Sequence, residues 1–321
     1  MRASPAYHLR TNKAVERLLF LELLRKLDGR LPEGVASYSY VSLGGPYLED
    51  FMLVHTAFGN RSMVSLETKK HVRTRQVINL PYSRIALTLD STRKFVDKYS
   101  TGNIPLLAWF DYEWQDWKNQ LSESCDLLQK LPLFSIFKLT LTGKTDHLGN
   151  SGSDPLLTKA KTLSAMFADY GPFDSSQVNE QSICTTLYGI CRRAIAEAVP
   201  DTYHRAVRTL AAYEYNDGTP VLTITMIVAP LRDVRVLVRA ADLAHWPYAV
   251  LNWRRPKNIA VPYLGLRERL AIDKLMPDAD ARTVVRRLKL RLSDNYWDSV
   301  LAISNYMEFY QYVPQFLKVS V

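Results

Sequence analysis

A glycine pair and several carboxylates follow successive β-rich runs in the first part of the sequence. Gly44-Gly45 comes first, and Glu67, Asp90 and Asp111 close later runs. Glycines let a backbone turn approach a ligand closely, and a carboxylate accepts hydrogen bonds from ribose hydroxyls. Glu67 falls about 20 residues after the glycines, the separation typical of nucleotide-binding strand-helix-strand units. The spacing predicts a pocket for a nucleotide-containing cofactor.

The elements that must position these residues alternate between strands and helices. Apolar side chains recur at helical spacing from Leu48 to Phe58, and Gly59-Asn60 ends that helix. The predicted strands are Tyr38–Leu43, Met63–Leu66, Arg84–Ser91, an apolar run from Ile104, and Phe134–Thr142. Such alternation predicts an α/β fold with a doubly wound, mostly parallel sheet. Ligands of these sheets bind beyond the carboxyl ends of the strands, where the glycines and carboxylates fall.

Beyond the alternating region the sequence predicts a terminal antiparallel hairpin and further helices. Two β-rich runs flank Asn216-Asp217-Gly218-Thr219, and the Asp-Gly pair supplies the positive φ of a tight turn. Residues 146–205 are predicted as a helical insertion. We therefore expect an N-terminal helix packing on the main domain at 1–36, the main domain at 37–230, and a basic helical C-terminal region at 231–321.

The order of these elements resembles that of the class I S-adenosylmethionine-dependent methyltransferases, which have a Rossmann-type domain. The resemblance covers roughly Ser37 to Pro230 and implies S-adenosylmethionine as the cofactor. In that family the turn after the first strand passes under the cofactor's amino-acid part. The acid ending the second strand holds the ribose hydroxyls, and the end of the third strand approaches the adenine. The matching positions are Leu43, Gly44, Gly45, Pro46, Tyr47, Glu67, Asp90 and Ser91.

The end of the fourth strand faces the methyl group and the acceptor in that family. The resemblance therefore implies catalytic roles for Asp111, Tyr112 and Glu113, one of which would act as the general base. The run from Asp111 to Trp114 lacks the Asn/Asp-Pro-Pro-aromatic motif of enzymes that methylate exocyclic amines of nucleic acids. The glycine turn lacks the GxGxG spacing, because Pro46 follows directly. This departure leaves catalytic competence open.

Two C-terminal sequence segments show a further resemblance. VPYLGLRERLAIDKLMP and NYMEFYQYVPQF are similar to the ends of bacterial proteins described as O-methyltransferases, some of them associated with phage defence. The resemblance implies a role in antiviral defence.

The formal net charge of +9 is concentrated in the C-terminal region. From Leu231 onward the chain has 15 Lys and Arg residues against 9 Asp and Glu residues, which supplies +6 of the total. Arg286, Arg287 and Arg291 lie on a predicted helix. These charges predict a face that binds the phosphates of a nucleic acid or a protein partner, and a solvated helix surface is the alternative.

Cysteine and histidine spacing gives no metal signature. Cys125, Cys184 and Cys191 are predicted to be buried free thiols, and the six histidines form no pair at zinc-ligand spacing. A magnesium site that combines Asp111 with a later carboxylate stays open. No apolar run reaches the ~18 residues of a membrane span, and the first residues mix charge into an amphipathic helix. The predicted location is the cytoplasm, away from membranes.

The absence of other motifs narrows the function further. The sequence has neither a Walker-type phosphate loop nor a Gly-x-Ser-x-Gly turn, which excludes those kinases and hydrolases. A nicotinamide enzyme would use the same sheet with a fuller glycine fingerprint. The leading hypothesis is a methyltransferase acting on an oxygen or nitrogen of a small-molecule or macromolecular acceptor. The contrasting hypothesis is a non-catalytic subunit or sensor of the same fold that binds nucleic acid or a partner protein.

Overall fold

A computed structural model of the chain describes residues 10–100, 102–150 and 153–314. The ends of the predicted N- and C-terminal regions, residues 1–9 and 315–321, lie outside the described residues, as do positions 101, 151 and 152. The strands are β1 (Ser39–Ser42), β2 (Ser62–Leu66), β3 (Ile85–Thr88), β4 (Leu106–Asp111), β5 (Ile136–Thr142), β6 (Ala206–Asn216), β7 (Pro220–Ala229) and β8 (Lys257–Ile259). The α-helices are α1 (Thr11–Leu27), α2 (Glu49–Phe58), α3 (Lys70–Ile78), α4 (Thr92–Lys98), α5 (Trp117–Lys130), α6 (Pro155–Met166), α7 (Ile183–Ala198), α8 (Leu231–Ala240), α9 (Leu266–Asp273), α10 (Ala281–Leu288) and α11 (Tyr296–Phe309).

The strands form one sheet in the order β3-β2-β1-β4-β5-β7-β6-β8. The first five strands of this order pair in parallel, and β7 runs antiparallel to β5. The predicted α/β fold with a mostly parallel sheet and a terminal hairpin is therefore confirmed. The predicted helical segment at 146–205 contains α6 and α7 and forms the connection from β5 to β6.

The chain reverses its direction of winding at β1. It moves from β1 outward through β2 to β3, and then returns to place β4 on the other side of β1. Ser42, the last residue of β1, is level with Ser65 of β2 and with Trp109 of β4. In open α/β sheets such a reversal leaves a crevice at the carboxyl ends of the strands, because the flanking helices lie on opposite faces.

The two faces of the sheet differ in composition. One face presents large apolar side chains, including Phe110, Phe137 and Leu139, to buried leucines and isoleucines of α5 and α7. Cys125, Cys184 and Cys191 are buried and free, as predicted. Burial raises the pKa of Cys125 and of Cys184 to about 12, so these thiols stay protonated at neutral pH.

The opposite face is more polar, although it is equally buried. Residues that pair across strands point to the same side, so Ser42, Trp109 and Lys138 share this face. Helix α2 packs against it, since the ring of Phe51 lies 4.9 Å from that of Tyr40 in an edge-on contact. Alternation along β1 puts Tyr40 and Ser42 on this side and Val41 in the apolar core.

Several boundaries differ from the predictions. Helix α1 ends at Leu27, inside the N-terminal helical region predicted at 1–36. Leu48, predicted as the first apolar position of the second helix, precedes α2 and has a left-handed φ of 54°. Helices α8 and α11 were not predicted separately within the basic C-terminal region.

The chain divides into two compact units. The larger unit comprises Leu21–Glu214 and Thr219–Lys257, and the smaller comprises the described residues of Met1–Phe20, Tyr215–Gly218 and Asn258–Val321. In the smaller unit the Asp217 carboxylate accepts hydrogen bonds from the backbone N–H groups of Asn12 (3.3 Å) and Lys13 (2.9 Å), which caps the start of α1. The Asn12 side chain accepts a bond from the N–H of Val261 at 2.8 Å.

The arginine-rich tail of the smaller unit is partly engaged with aromatic rings. The guanidinium of Arg282 lies 4.8 Å from the Trp297 ring, and that of Arg291 lies 5.1 Å from the Tyr296 ring. Arg286 and Arg287 of α10 are exposed. Within the described residues no helix has both the length and the apolar composition to cross a bilayer.

The half-buried Gly189 inside α7 provides a test of the packing around this helix. A Cβ at this position would meet no atom within 4 Å. Because alanine favours the helix and restricts the unfolded chain, we expect Gly189→Ala to raise the free energy of unfolding by about 0.5–1 kcal/mol. Urea denaturation followed by circular dichroism measures the change. Gly218→Ala should lower stability instead, since Gly218 has a φ of +95°. A lower midpoint for Gly189→Ala would contradict the open surroundings of α7.

Candidate active site

The residues singled out in the sequence lie at one edge of the sheet. The glycine turn follows β1, Glu67 follows β2, Asp90 follows β3, and Asp111 ends β4. These strands are neighbours in the order β3-β2-β1-β4 and are all parallel, so their carboxyl ends meet at the same edge. The fold thus brings together segments that lie far apart in the sequence.

The glycines of the turn are required for different reasons. Gly45 has a φ of +51°, in the region that side chains other than glycine rarely adopt. Gly44 is limited by space, because a Cβ there would lie 2.5 Å from Leu48 Cδ2, 2.6 Å from Ser65 Oγ and 2.9 Å from Phe51 Cε2. Gly44 therefore allows α2 to pack closely on β1 and β2. This close approach is one of the roles that glycines have in nucleotide-binding turns.

Side chains of α3 and of its C-cap residue Asn79 hold the turn in place, which the sequence did not indicate. The contacts are Gln76 Nε2 to the carbonyl of Gly45 (2.8 Å), Asn79 Nδ2 to the carbonyl of Pro46 (2.9 Å), and Arg75 Nη2 to the hydroxyl of Tyr47 (2.7 Å). Arg75 also stacks 4.9 Å from the Tyr47 ring. The only available signal was a set of polar residues late in a helix that has no clear apolar stripe.

Buried polar atoms without a partner adjoin this turn. Gln76 Oε1 and Ser42 Oγ have no hydrogen-bond partner within the part of the chain that the structure describes, and both residues are fully buried. Leu43, between Ser42 and the glycines, packs against the apolar core. Buried polar atoms normally have partners, so these positions are consistent with a site completed by a polar ligand.

Glu67 uses one carboxylate oxygen to order the loop that follows β2. Its Oε1 accepts hydrogen bonds from the backbone N–H groups of Thr68 (2.8 Å) and Lys69 (2.7 Å). Among the described residues Oε2 has no partner. The loop bonds fix the carboxylate at the carboxyl edge of β2, so Oε2 is a pre-oriented acceptor there.

The residues after β3 have structural partners. Asp90 forms an ion pair with Lys98 Nζ at 3.0 Å. Ser91 is the N-cap of α4, and its Oγ accepts a hydrogen bond from the N–H of Lys94 at 3.1 Å. Ser91 therefore stabilises the start of a helix, which a Ser directly before a helical run indicates. Asp90 lies at the site edge because it follows β3, and its partly exposed ion pair contributes little stability.

Strand alternation separates Asp111 from Tyr112. Asp111 is 6% exposed and shares the polar face with Trp109, whereas Tyr112 points into the apolar core beside Phe110. Glu113 is exposed just beyond the strand. The residues predicted to act together at the fourth strand thus face different surroundings. Asp111 is the candidate base on the same side of the sheet as Ser42 and the glycine turn.

Tyr112 belongs to a buried hydrogen-bond network that includes Glu123 of α5. The Tyr112 hydroxyl and Thr92 Oγ1 both donate to Glu123 Oε1, the latter at 2.8 Å. Burial raises the pKa of Tyr112 well above its usual value, and the nearby Glu123 raises it further. Tyr112 therefore remains protonated and serves as a donor to Glu123. A glutamate on the buried face of the amphipathic helix α5 was the signal for this network.

Lys138 is an unpredicted polar residue on the same face of the sheet as Asp111. It lies in the middle of β5, is fully buried, and places Nζ 3.4 Å from the centre of the Trp109 ring. Trp109 Nε1 donates to Thr140 Oγ1 at 3.0 Å, and Thr140 pairs with Asp111 across the strands. A lysine within the apolar run of the fifth strand was a visible signal. Within the described residues no three His, Cys, Asp or Glu side chains group closely enough to hold a metal ion.

The close packing around Gly44 leads to a stability prediction. A methyl group at Gly44 would overlap side chains of α2 and β2, so we expect Gly44→Ala to lower the free energy of unfolding by about 1–3 kcal/mol. Chemical denaturation measures the loss. Gly102→Ala is the matched control, because a Cβ at Gly102 would meet no atom within 4 Å. Equal stability of the two variants would rule out the tight approach of α2 to the turn.

The Glu123 network predicts a pH dependence of stability. Burial raises the pKa of Glu123 above the usual 4.5, although the hydroxyls of Tyr112 and Thr92 oppose the shift. The folded state then holds this proton to higher pH than the unfolded state, so stability is lost as the pH rises from 4.5 through the folded pKa. Glu123→Gln keeps the acceptor oxygen and removes the titration. We expect urea midpoints of this variant to fall less than those of the wild type over that range.

Glu123→Ala serves as the comparison for the same network. It leaves the buried Tyr112 and Thr92 hydroxyls without their acceptor, and each such loss costs about 1–3 kcal/mol. This variant should be less stable than Glu123→Gln at every pH. Identical pH profiles for Glu123→Gln and the wild type would exclude a raised pKa at this site.

Solved structures provide distant matches to this fold. A "putative O-methyltransferase" from Klebsiella pneumoniae is 10% identical, with 71% of this chain and 83% of that chain covered and a TM-score of 0.40. The O-methyltransferase from Bacillus cereus in complex with SAH is 12% identical, with 70% and 84% covered and a TM-score of 0.37. The spermidine synthase from Thermotoga maritima is 10% identical, with 68% and 62% covered and a TM-score of 0.40. Matches at this distance carry no statement about activity.

No match was found among curated proteins. A sequence family, by contrast, matches nearly the whole chain. The sequence profile of the family described as "Putative O-methyltransferase" matches residues 5–321. The match includes the glycine turn, all of the strands and the arginine-rich tail. The chain belongs to this O-methyltransferase family.

Proposed function

We propose that the chain is an S-adenosylmethionine-dependent methyltransferase that acts on an oxygen or nitrogen of its acceptor. The observation that carries the proposal is the meeting of the glycine turn, Glu67 and Asp111 at the carboxyl ends of β1, β2 and β4. This edge is where open α/β sheets bind their ligands. Membership of the O-methyltransferase family gives independent support.

The residues at this edge fit the parts of S-adenosylmethionine. The turn at Gly44-Gly45, with the buried unpartnered oxygens of Ser42 and Gln76, suits the polar amino-acid part of the cofactor. Glu67 Oε2 suits the ribose hydroxyls, since Oε1 is already committed to the loop. Asp90 and the exposed Leu89 suit the adenine, which needs one hydrogen-bonding group and an apolar surface.

The cofactor supplies an electrophilic methyl group when it is bound. Asp111 would accept the proton that the acceptor hydroxyl or amine loses, because it is the carboxylate at the end of β4 on the side of the turn. Tyr112 would act indirectly by fixing the end of β4, through its bond to Glu123 and its backbone N–H bond to the carbonyl of Thr140 at 3.1 Å. Glu113 would contact the acceptor from the exposed rim. Orientation of the reacting groups would provide much of the rate enhancement.

A second candidate is a non-catalytic subunit or sensor with the same fold. The observation that favours it is the attachment of the turn to α3, since Gln76 and Asn79 occupy the carbonyls of Gly45 and Pro46. A turn held in this way is more crowded than the GxGxG form. Its partner would be a nucleic acid or a protein that contacts the arginines of the C-terminal region. The cytoplasmic location and the antiviral role stay predictions.

Isothermal titration calorimetry with S-adenosylmethionine and S-adenosylhomocysteine tests cofactor binding. We expect micromolar binding that Glu67→Gln weakens about 10- to 150-fold, because the amide loses the charge that receives the ribose hydroxyls. Glutamine retains an acceptor for Thr68 and Lys69, so the loop should stay ordered. Glu180→Gln is the matched control, since Glu180 is exposed. Absence of binding to the wild type would sink the proposal and favour the non-catalytic subunit.

A further inference from the structure

Two adjoining cavities lie on the larger unit, away from the candidate active site. One has a volume of about 450 Å³ and lies between the end of α7 and the start of β6. The other, of about 340 Å³, lies between β6 and the side of α8. Arg208 and Asn252 line both cavities and form the wall between them. Each volume is within the range of small-molecule sites, about 300–1,000 Å³.

These cavities are at the amino edge of the parallel strands. Strand β7 runs antiparallel to β5, and Ile227 near the end of β7 pairs with Ile136 at the start of β5. Arg205, directly before β6, donates to the carbonyls of Leu128 (2.6 Å) and Leu131 (2.8 Å), which precede β5. The glycine turn and Asp111 are at the opposite, carboxyl edge of the sheet. A ligand in the cavities would therefore not compete with one at the candidate active site.

The walls of the cavities carry a positive charge. Arg192 lines the first cavity and Arg235 lines the second, and both are exposed with no acidic partner among the described residues. Arg208 between them is held by Asp201, to which Nη1 donates at 2.7 Å. Asp201 is the single acid among the residues that line either cavity. Its charge is paired with that of Arg208, so the unpaired arginines set the local potential.

An aromatic side chain completes the first cavity. The ring of Trp253 is half-buried, lines the wall, and lies 5.6 Å from the ring of Tyr188. Asn252 and Trp253 have left-handed φ values of 55° and 58°, which turn the chain sharply at this point. The N–H of Trp253 donates to Thr209 Oγ1 at 2.8 Å, and Thr209 is buried in β6. The backbone carrying the ring is thus fixed to the sheet, so the indole is a preformed surface for stacking.

From these features we infer that the cavities bind a single-stranded nucleic acid. Arginines without an acidic partner bind backbone phosphates, and an aromatic ring beside them stacks on an unpaired base. Two adjoining cavities match two successive nucleotides, with the backbone phosphates at Arg192 and Arg235. A duplex would not present its bases to Trp253. The inference does not depend on methyl transfer, because it concerns the opposite edge of the sheet.

Fluorescence anisotropy with labelled 10-mers of uridine and of thymidine tests the inference on the full chain. The wild type should bind either strand more tightly than a duplex at the same salt concentration. Arg192→Gln/Arg235→Gln should weaken binding and reduce the salt slope by about 1.4, since each phosphate contact with a single strand contributes about 0.7. Trp253→Ala should weaken binding about 5- to 150-fold through lost stacking, and Trp253→Phe should retain most of the affinity.

Arg84→Gln is the matched control for charge. Arg84 is exposed and directly precedes β3, at the opposite end of the strand order from β6. Its replacement changes the net charge without touching the cavities. Its binding should equal that of the wild type. Failure of the wild type to bind either strand at low salt, equal losses in Arg84→Gln and Arg192→Gln/Arg235→Gln, or a preference for the duplex would each overturn the inference.

A readout of cofactor binding separates this inference from the proposed function. Arg192→Gln/Arg235→Gln should bind S-adenosylmethionine as the wild type does, whereas Glu67→Gln should bind the single strands normally. Preference for the uridine strand over the thymidine strand would identify RNA as the ligand, and the reverse would identify DNA. Either preference supports the inference, provided that the arginine variant removes it.

Discussion

The parallel pairing of β1 with both β2 and β4 is the constraint on which the rest of the structure depends. It sets the end of β1 level with the ends of its neighbours, so the glycine turn, Glu67 and Asp111 reach one edge. The entry to β1 is fixed by Asn60, whose buried Nδ2 donates to the carbonyls of Val35 (2.7 Å) and Tyr38 (3.1 Å). A shift of one residue in this pairing would exchange the polar and apolar faces of β1.

The alternation of faces also assigns separate roles to neighbouring residues at the end of β4. Tyr112 contacts the apolar core and donates to Glu123, which makes it part of the scaffold. Asp111 is on the face that includes Lys138, Trp109 and Thr140, where buried polar groups accompany the strand ends. In a parallel sheet with helices on both faces such polar residues are costly to bury. Their concentration next to the glycine turn is therefore consistent with a functional edge.

The two edges of the sheet differ in the chemistry that they present. The carboxyl edge carries carboxylates and a glycine turn, which suit the ribose hydroxyls and the proton that an acceptor group loses. The amino edge beside β6 carries Arg192 and Arg235 with Trp253, which suit phosphates and an exposed base. Arg235 belongs to the predicted basic C-terminal region, but it lies in the larger unit. In the smaller unit Arg282 and Arg291 stack on aromatic rings and support the fold of the tail.

The sequence by itself determined the local features of this protein. Periodicity and turn residues were sufficient for the strand-helix alternation, the Asp217-Gly218 turn, and the polar positions that follow β1 to β4. Contacts between residues distant in sequence were decided only by the tertiary structure. Gln76 and Asn79 reach the turn, Glu123 reaches Tyr112, and Arg192 lines a cavity with Trp253 only because helices pack on a folded sheet. The spacing of apolar residues along the sequence shows which face of a helix or strand is buried. The hydrogen-bond partner of a side chain depends instead on which other element covers that face.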